Sequence, residues 1–256
     1  MCGRYVIIST PAAIRALFGY GEQPNFPPRY NVAPTQPIPI VRFVEGKREF
    51  ALVRWGLIPA WVKDPLRFTL LINARGESVL DKPAFRNAMR RRRCLVPTDG
   101  FYEWTGTPKR PYFVRAKRRA DGSAPPLAFA GLWETWTGPN GEEVDTAAII
   151  TTNANRTLAS IHERMPVFVP KEAFDLWLDC ANVEADVAAA LIRPAEDALL
   201  EAYEISPAVN RVANDSAALI APVSTPGVAA APAAERAPAT TAKPKKAKRG
   251  DQPSLF

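Results

Sequence analysis

The chain has 256 residues, 47% of them hydrophobic and 23% charged, with a formal net charge of +7. That balance fits a globular protein long enough to bury a sizeable core, and it excludes collagen-like and wholly disordered chains. No apolar run approaches the roughly 20 residues of a membrane helix, and three cysteines (Cys2, Cys94, Cys180) without a Cys-x-x-Cys pair argue against a disulfide framework or a zinc site.

In chain order, GRYVII (3–8) reads as a strand, and TPAAIRALF (10–18) as a helix with Thr10 at the N-cap and Pro11 in its first position. PIPIVRFV (37–44) and REFALVRWGLI (48–58) are strand-like. LLINARGES (70–78) begins as a strand, and its alternation puts Asn73, Arg75 and Glu77 on one side if the strand continues. KPAFRNAMRRR (82–92) is helical. The run Arg90–Arg93 at its end reads equally well as a solvated helix face or as a contact for a polyanion. Further strands are expected in RRCLVPTDGFYEW (92–104), RPYFVRA (110–116), LAFAGLWETW (127–136), TAAIITT (146–152) and PVFVP (166–170), separated by Pro, Gly and Asn turns. KEAFDLWLD (171–179) and the 184–200 region complete the helical patterns.

The result is a β-rich α+β domain over residues 1–221. It has no parallel βαβ alternation and neither GxGxxG nor GxxxxGK[ST], so a nucleotide-binding fold is not expected. After Pro222 the composition turns to Ala, Pro and Thr and then to KPKKAKRG, a disordered basic tail over 222–256. The tail carries +4 and residues 1–220 carry +3, so charge permits a polyanion partner without pointing to one.

Four residues draw attention for their chemistry. Met1 is readily removed before a small residue, and Cys2 would then present a 1,2-aminothiol. Its amine titrates near about 7.7–8.0 and its thiol near about 8.5, so both are partly nucleophilic at neutral pH. The amine condenses with an aldehyde and the thiol closes a five-membered thiazolidine. His162, the single histidine, is the natural proton shuttle near neutrality. Glu103 lies between Tyr102 and Trp104, where apolar surroundings raise a carboxyl's pKa. Asn73 sits in the strand-like run above. Each residue alone also has a structural reading: a small buried Cys, a structural His, a capped turn or a solvated strand end. Cys94 and Cys180 read as buried or incidental.

The segments MCGRY, RYNVAPTQ, RWGLIPAW, INARGES, RRCLVPTDGFYEW, IHERMP and VNRVANDSAALI, in this order over roughly residues 2–220, resemble the SRAP (SOS response-associated peptidase) family. The resemblance implies a compact α+β domain with a β-barrel-like core. It also implies a DNA-damage activity: sensing abasic sites in single-stranded DNA and shielding them in a covalent thiazolidine cross-link. Such an enzyme would be of lyase or hydrolase type, with limited autoproteolysis of Met1. By resemblance Cys2 is the nucleophile, Asn73 hydrogen-bonds the linkage, Glu103 assists Schiff-base and ring chemistry, and His162 assists opening of the sugar. Arg4, Arg75 and Arg164 lie within two residues of these positions and are candidates to clamp phosphates. Pro34 and Trp61 match positions that stack on flanking bases, and Thr151 matches a phosphate contact. Some members carry an aromatic where this chain has Val62. The competing reading is a Cys2-dependent thiol peptidase or amidase. No metal or cofactor is expected, and the protein reads as a cytoplasmic monomer, nucleoid-associated when engaged on DNA.

The final QPSLF resembles motifs by which bacterial replication and repair proteins dock on the sliding clamp. Gln252, Leu255 and Phe256 would be its anchors, on a flexible tether.

Overall fold

The computed structural model describes residues 2–22 and 24–223. Among them the chain forms, in order, β1 (Tyr5–Ile7), α1 (Pro11–Phe18), β2 (Arg29–Val32), β3 (Pro37–Val44), β4 (Lys47–Trp55), β5 (Asn73–Arg75), α2 (Arg86–Arg91), β6 (Arg93–Thr98), β7 (Gly100–Thr105), β8 (Arg110–Ala116), β9 (Leu127–Thr137), β10 (Glu143–Asn153), α3 (Arg156–Ala159), β11 (Arg164–Pro166), α4 (Phe174–Leu178), α5 (Ala185–Ala189) and β12 (Leu200–Glu204). The β-rich α+β expectation holds. Thr10 Oγ1 accepts the Ala13 N–H at 3.2 Å, and α1 ends on Gly19 in the left-handed region (φ 72°).

Five strands close into a barrel. β4 pairs with β3, β3 with β6, β6 with β9 and β9 with β10. The ring closes where β10 meets β4 in parallel, Thr146 opposite Arg54 and Ala147 opposite Trp55. Closure removes the exposed edges of an open sheet. It also brings in the parallel pairing that the strand order had not suggested, because β4 and β10 are joined by a long excursion through other elements rather than by one crossover helix.

β10 is 11 residues long, and its pairing with β9 ends at Ile149. Its last residues lie between β5 (Ile149 opposite Asn73, Thr151 opposite Arg75) and β11 (Thr151 opposite Pro166, Asn153 opposite Arg164). That extension carries Asn73 on one flank and the segment after His162 on the other.

A second sheet runs in the order β12, β8, β7, β1, β2. Tyr5, Phe101 and Val114 belong to the core shared with the barrel, whereas Val6, Tyr102 and Phe113 form a separate cluster with Ile205, Val209 and Leu219. The two sets alternate along each strand, as side chains on opposite sheet faces must. Gly100 opens β7 where only hydrogen fits, since a Cβ there would stand 2.5 Å from the Val114 carbonyl oxygen. The fold continues through Val223, whose N–H donates to Glu204 O at 3.0 Å. The expected clamp motif lies outside the described residues.

The arginine run divides at Arg93. Arg90 and Arg91 are exposed, Arg92 pairs with Glu134 at 2.9 Å, and Arg93 is buried at the start of β6. Its guanidinium donates to the carbonyls of Trp177, Met89, Asp179 and Val183 at 2.6–2.9 Å, capping the end of α4 from inside. Arg93→Met keeps the length but leaves two buried and two partly buried carbonyls without a donor, so unfolding should need about 3–5 kcal/mol less. Denaturant titration checks this; a loss below about 1 kcal/mol would mean that water replaces the guanidinium.

Candidate active site

The site forms where the leading residues run between β7 and β5. Cys2 is fully buried, with Sγ 3.8 Å from the Arg4 carbonyl oxygen. Asn73, on β5, donates from Nδ2 to the Cys2 carbonyl at 2.9 Å. Its Oδ1 is buried and finds no donor among the described residues.

β7 supplies Glu103. Tyr5 pairs with Phe101, and the Tyr102 N–H donates to Arg4 O at 3.0 Å, so β7 runs antiparallel past residues 2–4. Alternation from Phe101 turns Glu103 to the barrel side, and it is 2% exposed. Burial raises its pKa to about 7, against the opposing pull of the positive amino terminus and the Trp104 N–H. Burial, with the nearby Glu103 charge adding to it, pushes the Cys2 thiol well up. The sulfur is therefore a protonated thiol near neutrality, next to a carboxyl poised to exchange protons there.

His162 follows α3. Its N–H donates to Leu158 O, and its Nδ1 accepts the Arg164 N–H, both at 2.9 Å. Burial lowers its pKa, and the amino-terminal charge lowers it further. The imidazole is thus neutral near pH 7; with Nδ1 accepting, its proton sits on Nε2.

The strand expected through Glu77 stops at Arg75, and Gly76–Ser78 form a single 3-10 turn. Glu77 therefore leaves the Asn73–Arg75 row and meets Arg164. The Arg164 guanidinium also donates to Asn153 Oδ1 at 2.9 Å and Thr151 O at 2.8 Å, and it holds the Glu77 carboxyl below its usual range. This fork ties the end of β5 to β11, and so the Asn73 segment to the His162 segment.

Of the other expected contacts, Arg75 is exposed and Trp61 is 57% exposed, edge-on to Phe68. Pro34 is half-buried. Thr151 is fully buried, Arg164 is 8% exposed, and Val62 is buried against Ile58 and Trp136. Arg4 donates to Asn31 Oδ1 at 2.7 Å and to Val209 O at 3.0 Å, on the sheet face away from Glu103. Arg4, Thr151 and Arg164 thus direct their polar groups into the protein, while Arg75 and Trp61 are open to solvent.

Two organising residues escaped the sequence reading. Asn31 is fully buried and donates from Nδ2 to Val209, Arg211 and Asn214 carbonyls at 2.8–3.2 Å. Asp99 accepts the N–H groups of Ile8 and Ser9 at 2.6 and 2.7 Å. A lone amide inside the strand-like RYNV was the available signal for Asn31; nothing local marked Asp99. Among the described residues no three His, Cys, Asp or Glu side chains converge as a metal site, and no helix is long and apolar enough to cross a membrane.

Residues 1–212 match the family described as SOS response associated peptidase (SRAP). The chain belongs to the SRAP family. Among curated SRAP relatives, the abasic site processing protein YoqW of Bacillus subtilis (strain 168) is 38% identical over 224 residues, covering 86% of this chain and 99% of that protein. The abasic site processing protein HMCES of Gallus gallus is 31% identical over 264 residues, covering 87% and 78%. A crystal structure of a protein from Bacteroides thetaiotaomicron superposes with a TM-score of 0.74 at 26% identity, covering 87% of this chain and all of that one. Cys2, Asn73, Glu103 and His162 all fall within the SRAP match.

Proposed function

We propose that this SRAP protein traps abasic sites in single-stranded DNA as a thiazolidine formed by Cys2 once Met1 is removed. One observation carries the reading: a buried carboxyl titrating near 7 lies beside a buried thiol whose own residue is pinned through its carbonyl by Asn73. This set serves an amine that must lose a proton and a thiol that must deliver one.

Glu103 as carboxylate takes a proton from the Cys2 ammonium, and the amine attacks C1′ of the ring-opened deoxyribose. Water leaves and an imine forms. His162 donates from Nε2 to O4′ as the sugar opens. The Cys2 sulfur then bonds to C1′, and the thiol proton passes through Glu103 to the nitrogen. Overall, aldehyde and aminothiol give thiazolidine and one water. Asn73 holds the Cys2 carbonyl still, and its vacant Oδ1 receives an N–H of the linkage. Arg75 meets a flanking phosphate, Trp61 and Pro34 meet flanking bases, and Arg4, Thr151 and Arg164 support these groups from within. The protein acts in the cytoplasm, on the nucleoid.

Denaturing electrophoresis of the Met1-processed protein with a single-stranded abasic oligonucleotide tests this. A heat-stable shifted band is expected from wild type, with none from Cys2→Ala and none with undamaged DNA. Absence of an adduct from wild type would overturn the reading. Docking of the tail on the sliding clamp through Gln252, Leu255 and Phe256 is a separate proposal. Deleting 252–256 should abolish clamp pull-down without changing cross-linking to a free oligonucleotide; unchanged pull-down would rule it out.

A further inference from the structure

Tyr5 is fully buried, and its hydroxyl has no hydrogen-bond partner among the described residues. Leaving a buried hydroxyl unsatisfied is costly, and phenylalanine would fit the same space without that cost. The ring itself is well seated: it packs edge-on against Trp55 at 5.5 Å and Phe129 at 6.1 Å between centroids. Packing therefore accounts for the aromatic ring but not for its oxygen.

Register places Tyr5 beside the strand that carries Glu103. Tyr5 pairs with Phe101, so Glu103 is its diagonal neighbour on the same face of the sheet. Trp55, against which Tyr5 packs, donates its indole N–H to Ile72 O at 3.0 Å, the residue before Asn73. Cys2 lies three residues back in the same buried cluster. Tyr5 thus lies among the buried residues between the Glu103 strand and the Asn73 segment, and the Cys2 charge is felt at its hydroxyl. Burial holds that hydroxyl well above its ordinary pKa, so it stays a donor throughout the working range.

We propose that Tyr5 is a further catalytic residue, donating a hydrogen bond from its hydroxyl to the Cys2 sulfur as the thiol loses its proton during ring closure. The step balances without a new reactant: the sulfur–C1′ bond forms, the carbon–nitrogen π bond becomes a nitrogen lone pair, the thiol proton ends on nitrogen, and Tyr5 keeps its own proton. The donor offsets the burial that disfavours a sulfur anion. This assignment rests on Cys2 being the nucleophile proposed above.

Tyr5→Phe removes only the oxygen. In the Met1-processed protein, alkylation of Cys2 by iodoacetamide, followed by mass spectrometry of the amino-terminal peptide across pH, reads the thiolate without DNA. A shift of its midpoint to higher pH by about one unit is expected, with a roughly tenfold slower reaction at neutral pH. With abasic DNA, borohydride capture of the imine should be unchanged while thiazolidine closure slows by about tenfold. The melting temperature should stay level or rise. An alkylation profile and a closure rate equal to wild type would overturn the proposal and leave the hydroxyl to a buried water. If wild type forms no DNA adduct, the alkylation arm still decides the role of Tyr5 separately from the DNA reading.

Discussion

Glu103→Gln should slow cross-linking at neutral pH by about 10²- to 10⁴-fold, the usual worth of a positioned acid–base group. The amide matches the carboxyl in size and accepts hydrogen bonds, but it cannot take the ammonium proton or carry the thiol proton to nitrogen. With the Glu103 pKa at about 7, the wild-type rate should rise through neutrality as the base form fills, then level off above the amine's own value near about 8. The glutamine variant should lose the lower inflection and keep the upper one. Single-turnover rates measured by gel across this range check the claim; a glutamine profile parallel to wild type would mean that the carboxyl only packs.

The same substitution should move stability in the opposite direction. In the unfolded chain the carboxyl loses its proton near its ordinary value of 4.5; in the fold it keeps the proton to about 7. Between these values the native state binds more protons than the unfolded state, so stability falls as pH rises through the window. Above about pH 7 the deficit is complete, about 3 kcal/mol from the size of the shift. Glu103→Gln lacks this term and should be increasingly more stable than wild type from about pH 5 upward. Loss of rate with gain of stability marks a carboxyl held in an unfavourable place for its chemistry.

Local signals reached most of the elements and part of the site. The β-rich α+β class was readable from period-two runs broken by Pro and Gly, and α1 from Thr10, Pro11 and Gly19, because caps and alternation are properties of a few adjacent residues. Helix lengths were not. KEAFDLWLD became a 3-10 turn and the five-residue α4, and 184–200 held α5 and the approach to β12, where Leu200 pairs with Ala116. Barrel closure is a long-range fact: β4 and β10 meet across some ninety residues, and nothing in either strand announces a parallel partner.

The site divides in the same way. Cys2, Glu103 and His162 could be singled out by chemistry alone, as a residue poised to become a terminal aminothiol, a carboxyl between aromatics and the sole histidine. The internal roles of Arg4, Thr151 and Arg164 could not, since a charged or polar residue in sequence looks the same whether it faces phosphate or a buried carbonyl. The fork of Arg164 on Glu77 and Thr151 exists because β5 stops at Arg75 and a 3-10 turn begins at Gly76.

Moving the amine away from the thiol should abolish the heat-stable adduct, and this separates the aldehyde trap from a thiol peptidase. A glycine inserted before Cys2 leaves the thiol, Glu103 and the Asn73 anchor on the Cys2 carbonyl in place, but after Met1 removal the free amine belongs to the inserted residue. The imine it forms has no thiol on its own α-substituent, so the five-membered ring cannot close. Well-oriented intramolecular closures have effective molarities of about 10⁵ M and above. Losing that advantage takes ring formation below detection and leaves an imine that hydrolyses or lets the strand cleave. Borohydride capture should still find that imine, which shows that the extended chain folds and binds DNA. A thiol peptidase needs only the sulfur and a base, and would keep its activity on a peptide substrate in the same variant. A heat-stable adduct at the wild-type rate from the glycine-extended chain would rule out the thiazolidine, since no other pair of groups on Cys2 can make it.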